Sequence, residues 1–118
     1  MLRRFCLVAA VAVGVAAPVS ASEVTPQEEQ RLMVVGTAIK FACQYHRGDI
    51  SEAESYRAIN DYVRENNAQD AAAWLQTDEG LRASLLVRRY TNMKTCKFDE
   101  EAAALDNAGE ELEPLLRD

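Results

Sequence analysis

Two short patterns hold the residue types that could do chemistry. Cys43-x-x-His46 and Cys96-x-x-Asp99 together offer sulfur, nitrogen, sulfur and oxygen donors, a set that a tetrahedral zinc ion accepts. The same two cysteines could instead close one disulfide, which needs no histidine or aspartate at all. A redox-active pair would be a close C-x-x-C, which the chain lacks. His46 is the only histidine. As a general base it would need a nucleophile and an orienting carboxylate, and no G-x-S-x-G or comparable nucleophile motif is present.

Acidic pairs are plentiful, at Glu28/Glu29, Glu52/Glu54, Asp78/Glu79, Asp99/Glu100/Glu101 and Glu110/Glu111. Glycosidase chemistry needs two carboxyls facing each other across a cleft. These pairs mostly fall instead in the first turns of helices, where the helix dipole favours negative charge. No D-x-D-x-D-G calcium loop occurs. The reading is therefore of no catalytic residues, no metal site and no cofactor.

The compartment decides between zinc and disulfide. Residues 1–21, MLRRFCLVAAVAVGVAAPVSA, open with Arg3 and Arg4, continue in an apolar run from Phe5 to Ala17, and end in Pro18 and the small residues of Val19-Ser20-Ala21. That is the three-part plan of a secretory signal peptide, with cleavage expected after Ala21. The apolar run is too short for a comfortable membrane span of about 20 residues, so no stable membrane insertion is expected after cleavage. An exported chain meets an oxidising compartment, periplasmic or extracellular, and Cys43 and Cys96 then pair. Asp99 has a competing task as a helix cap.

The elements that must position these residues read as helices. Thr25-Pro26-Gln27-Glu28 is a capping box with proline at the first helical position. Its helix should run to about Arg47 and stop at Gly48, with Leu32, Val35, Ile39, Ala42 or Cys43, and His46 facing inward. Ser51-Glu52-Ala53-Glu54 is a second capping box, for a helix ending at Asn66-Asn67. Asp70 is placed to cap a short alanine-rich helix carrying Trp74. A fourth helix is predicted from about Asp78 to Thr95, burying Leu81, Leu85, Leu86, Tyr90 and Met93. Asp99 caps a fifth, through about Ala108. No stretch alternates as a strand would, and no Asn-Gly or Asp-Gly hairpin signal occurs. The fold class is thus a small all-α bundle of four to five helices, residues 22–108, stapled by Cys43–Cys96. Pro114 and the acidic residues make 109–118 a frayed tail.

Charge is the remaining signal. The chain holds 13 Lys and Arg against 19 Asp and Glu, a formal net charge of −6. Removing residues 1–21 takes away only Arg3 and Arg4 among the charged residues and leaves −8. The sequence pI of about 4.8 argues against nucleic acid as a partner. Within this acidic chain, residues 82–97 carry Arg82, Arg88, Arg89, Lys94 and Lys97 and no acidic residue. The acidic residues after Asp99 could neutralise that segment by folding back on it. Otherwise it is a basic patch for an acidic protein partner, with Arg88 and Arg89 as its bidentate readers.

In plan, with a signal peptide, a mature chain of about a hundred residues and two distant cysteines, the protein resembles the small all-helical acid-stress chaperones of the bacterial periplasm. It is similar in outline also to small periplasmic immunity or inhibitor proteins. The expectation is a non-enzymatic, exported interaction module, with an acid-stress holdase or an inhibitor as the alternatives.

Overall fold

The computed structural model describes residues 24–117. The expected signal peptide and its cleavage site after Ala21 lie outside the described residues. Among the described residues the chain is mostly helical, with six helices and one short two-stranded ribbon: α1 Pro26–His46, α2 Glu52–Glu65, α3 Gln69–Leu75, α4 Asp78–Arg89, β1 Thr91–Asn92, β2 Lys97–Phe98, α5 Glu100–Leu105 and α6 Ala108–Arg117.

Local chemistry explains where these elements start and stop. Thr25 accepts from the Glu28 amide at 3.1 Å while the Glu28 carboxylate accepts from the Thr25 amide at 2.8 Å, so both halves of the first capping box form. Ser51 and Glu54 repeat the arrangement at α2. These backbone bonds hold the Glu28 and Glu54 carboxyls below the usual carboxylate range. At the other end of α1, Gly48 takes φ +82°. Its amide donates to Tyr45 O and the Asp49 amide to Gln44 O, the paired bonds of a Schellman stop. Asn67, at φ 49°, closes α2 in the same way. Helix α3 departs from the expectation: Ala68 is its N-cap, with no side-chain bond, and Asp70 lies in the first turn.

Helix α1 is the central element, packed against α2, α3, α4 and α6. Val35 joins Trp74, Ala83, Val87 and Leu116 in the main core cluster. Val34 packs with Ala68 and Ala71, and Leu86 with Tyr90, Ala103 and Ala108. Helix α4 turns a different face inward than its large apolar residues suggest. Gly80, Ala83, Leu86 and Val87 are buried, whereas Leu81 and Leu85 are 53% and 64% exposed. The reason is close approach: a Cβ on Gly80 would stand 2.2 Å from the Trp74 carbonyl oxygen. The smallest residues of α4 therefore mark its contact face, and the leucines are left outside.

Two further stretches differ from the sequence reading. The fourth helix stops at Arg89 rather than Thr95, and β1 pairs antiparallel with β2, Thr91 opposite Phe98 and Asn92 opposite Lys97. The turn between them is organised by Asn92, whose side-chain oxygen accepts from the Lys94 amide at 2.8 Å and the Thr95 amide at 3.3 Å. Residues 109–117, expected to fray, belong to helix α6 despite Pro114 within it. Leu116 is buried in the main cluster with Leu112 and Leu115 packed beside it, and this burial outweighs the missing proline amide.

Candidate functional site

The cysteine chemistry resolves first. The Cys43 and Cys96 sulfurs lie at disulfide distance, 2.12 Å, joining the last turns of α1 to the hairpin across 53 residues. Cys43 is fully buried. His46, expected to face inward, is exposed and stacks its ring at an angle on Tyr45, 5.1 Å between centroids. No residue of α1 after Cys43 is buried, so the inward azimuth of His46 has nothing to meet. Asp99 is occupied as the N-cap of α5, accepting from the Ala102 amide at 3.0 Å. The four would-be ligands are therefore spent on a staple, a ring contact and a cap. Among the described residues no group of three or more His, Cys, Asp or Glu could hold a metal ion.

The basic segment is split between two supports. Arg82, Arg88 and Arg89 lie on α4, while Lys94 sits in the hairpin turn and Lys97 on β2. All five side chains are exposed. At about 100° per residue, the three arginines fall on the same arc of α4 as the exposed Leu81 and Leu85. The result is a mixed face in which two leucines project among three guanidinium groups. The sequence reading named the arginines and put the leucines inside. The signal that could have placed the leucines was Gly80 with Ala83, three residues apart on the opposite arc.

Helix α6 does pack against α4, as the folding-back idea requires. Glu111 and Leu115 line a shallow recess with Arg82, Leu85, Leu86 and Arg89. The neutralisation is incomplete, however. Among the described residues none of the five basic side chains has a carboxylate within 4 Å, the ion pairs being Arg47–Asp49, Arg64–Asp61, Arg117–Glu28 and Arg117–Glu113.

The C-terminal end of α6 is instead clasped to the beginning of α1. Arg117 Nε stands 3.3 Å from the Glu28 carboxylate, which is 5% exposed, and Arg31 donates to Leu116 O at 2.7 Å. The Arg31 guanidinium also lies over the Trp74 ring, 5.1 Å from its centroid. Nearby, Tyr90 donates its hydroxyl to Asp106 at 2.8 Å, tying the end of α4 to the end of α5. This bond to a carboxylate pushes the Tyr90 phenol above its ordinary range.

A second concavity lies between α1, α5 and α6, with a volume of about 720 Å³ and a mainly apolar lining. Sequence reasoning had no means of finding it, because its walls come from five separate elements. Among the described residues no helix is long and apolar enough to cross a membrane. No known protein family, curated protein or solved structure matches this chain.

Proposed function

We propose that this chain is an exported, non-enzymatic helical module that binds an acidic protein partner through the outer face of α4. It would work in the periplasm or another extracytoplasmic space, after cleavage behind Ala21. The observation that carries the reading is the pair Leu81 and Leu85, exposed among Arg82, Arg88 and Arg89 with no carboxylate within 4 Å among the described residues. Solvent-facing leucines at helical spacing offer anchors, and bidentate arginines around them select an acidic surface and steer its approach. The staple between α1 and the hairpin supports the same reading, since a small domain that must present a rigid face outside the cell gains from a covalent clamp.

The test is co-purification from the extracytoplasmic fraction of the producing cell. The unaltered protein should retain a discrete acidic partner that an Arg82→Glu/Leu85→Ser/Arg89→Glu variant loses and a Glu52→Gln variant keeps. A triple variant that is folded, by circular dichroism, and still retains the same partner would refute the assignment of the face. Retention of nothing by the unaltered protein would refute the function.

One observation favours a second reading, an acid-responsive holdase. The clasp of α6 onto α1 rests on a buried carboxylate, Glu28, so acid loosens the helix that covers Val35 and Trp74. Suppression of client aggregation at about pH 2–3 is the corresponding assay, and its absence removes the idea.

A further inference from the structure

The groove between α1, α5 and α6 shares no lining residue with the α4 recess and asks for a different ligand. Leu32, Val87, Phe98 and Leu112 give it apolar walls. Phe98 and Leu32 are 43% and 39% exposed, with much of their surface uncovered by the fold. Gly36 opens the wall on α1. A glycine in the middle of a 21-residue helix weakens that helix, and such glycines normally admit a close neighbour. Among the described residues a Cβ at Gly36 would meet nothing within 4 Å, and the same holds at Gly109 on the α6 side. The packing of the described residues leaves the space at both positions unused.

The rim fixes the charge of the occupant. Residues 99–116 carry seven Asp and Glu and no Lys or Arg. Two of these, Glu100 and Glu110, line the groove itself, and among the described residues neither has a cation within 4 Å. An anionic amphiphile or an acidic segment would meet like charge there. An apolar stripe flanked by cations would place its side chains in the trough and its charges against both glutamates. From the apolar walls, the unused space at Gly36 and the acidic rim, we infer that this groove receives a basic amphipathic helix of a partner protein. The inference stands apart from the proposal for α4, and different substitutions test the two.

The probe is a fluorescein-labelled synthetic helix of about 18 residues, built of leucine and lysine with one apolar stripe. It is titrated by fluorescence anisotropy into the disulfide-intact protein as the exporting cell produces it. Saturable binding is expected. Gly36→Leu should fill the trough and weaken binding at least about tenfold without lowering the melting temperature, and Ala104→Leu provides the same test from α5. Glu100→Gln/Glu110→Gln should weaken binding by roughly three- to tenfold and flatten its salt dependence. The Arg82→Glu/Arg89→Glu variant should bind as the unaltered protein does.

Several results would overturn the inference. One is unchanged affinity in folded Gly36→Leu and Ala104→Leu. Another is equal binding of a serine/lysine peptide, which would leave charge alone as the cause. Equal binding of a leucine/glutamate peptide would remove the role of the rim. Full displacement of the probe by laurate would make the groove a lipid site, and a concentration-dependent dimer in sedimentation equilibrium that saturating probe dissociates would make a second copy the occupant.

Discussion

The staple allows the strictest test of how this small fold is held. Breaking Cys43–Cys96 releases a loop of 53 residues in the unfolded chain. The chain-entropy relation for a loop of that length gives a loss of about 4 kcal/mol at 25 °C. A domain of this size has a total stability of roughly 5–15 kcal/mol, so the loss should lower the melting temperature by about 20 °C. Two substitutions separate the cross-link from the backbone at the same position. Cys96 sits at φ 60°, a left-handed conformation that disfavours residues bearing a Cβ. Cys96→Ser loses the bond and keeps that strain, whereas Cys96→Gly loses the bond and relieves it. The glycine variant should therefore be the more stable of the two by about 1 kcal/mol. In both, the freed Cys43 thiol has an acceptor at hand, the Met93 carbonyl oxygen 3.4 Å away. Urea unfolding followed by far-UV circular dichroism and by the single tryptophan, Trp74, reads all three proteins. A loss under about 1.5 kcal/mol would refute the loop-closure reasoning, and equal stability of the serine and glycine variants would refute the strain at Cys96.

Other consequences are open to the same measurements. Gly80→Ala places a methyl 2.2 Å from the Trp74 carbonyl oxygen and 2.6 Å from Leu75 Cα, both backbone atoms, and should destabilise by about 3 kcal/mol in urea titration. Glu28 has its carboxyl lowered by the Thr25 amide and by Arg117. Its contribution is therefore complete above the ordinary value of 4.5 and is lost as pH falls through the lower folded value. Stability measured from neutral pH down to about pH 3 should decline less steeply in Glu28→Gln than in the unaltered protein, because the amide keeps the cap but has no proton to gain. Tyr90 works in the other direction, its phenol raised above 10.0 mainly by the bond to Asp106. That bond stabilises the fold below pH 10 and is lost as pH rises through the higher folded value. Tyr90→Phe should lower the melting temperature at neutral pH by the loss of this one bond, and its thermal unfolding should lose the alkaline decline due to this residue.

What could be read from the sequence was local chemistry. Thr25 with Glu28, Ser51 with Glu54, Asp99, Gly48 and Asn67 each act on backbone groups within five residues, and the helices begin or end where those residues put them. The cysteine pairing was legible because Cys43 and Cys96 are the two cysteines outside the expected signal peptide, so each has one possible partner. What failed was anything decided by a distant neighbour. Leu81 and Leu85 look like core by size, but Gly80 and Ala83 face the crossing with α3, and that choice exists only once Trp74 is beside them. Pro114 argues against a helix until Leu112, Leu115 and Leu116 are given Val35, Trp74 and Val87 to cover. The hairpin escaped because its strands are two residues long and its turn is built by an Asn92 side chain rather than by an Asn-Gly pair. The basic segment was visible as charge, but its union with two exposed leucines, and the groove beyond α6, required the assembled fold.

The clasp between α6 and α1 also sets an order of events during synthesis. Leu112, Leu115 and Leu116 lie far along the chain from Val35, yet they complete the cluster around it. Arg117 closes on Glu28 from 89 residues away (117 − 28). Helices α1 to α4 can form and meet as they emerge, but Val35 and Trp74 lack their cover until α6 has been made and docks. The core thus stays open until α6 docks, and any step that acts on the chain before then meets a partly folded domain.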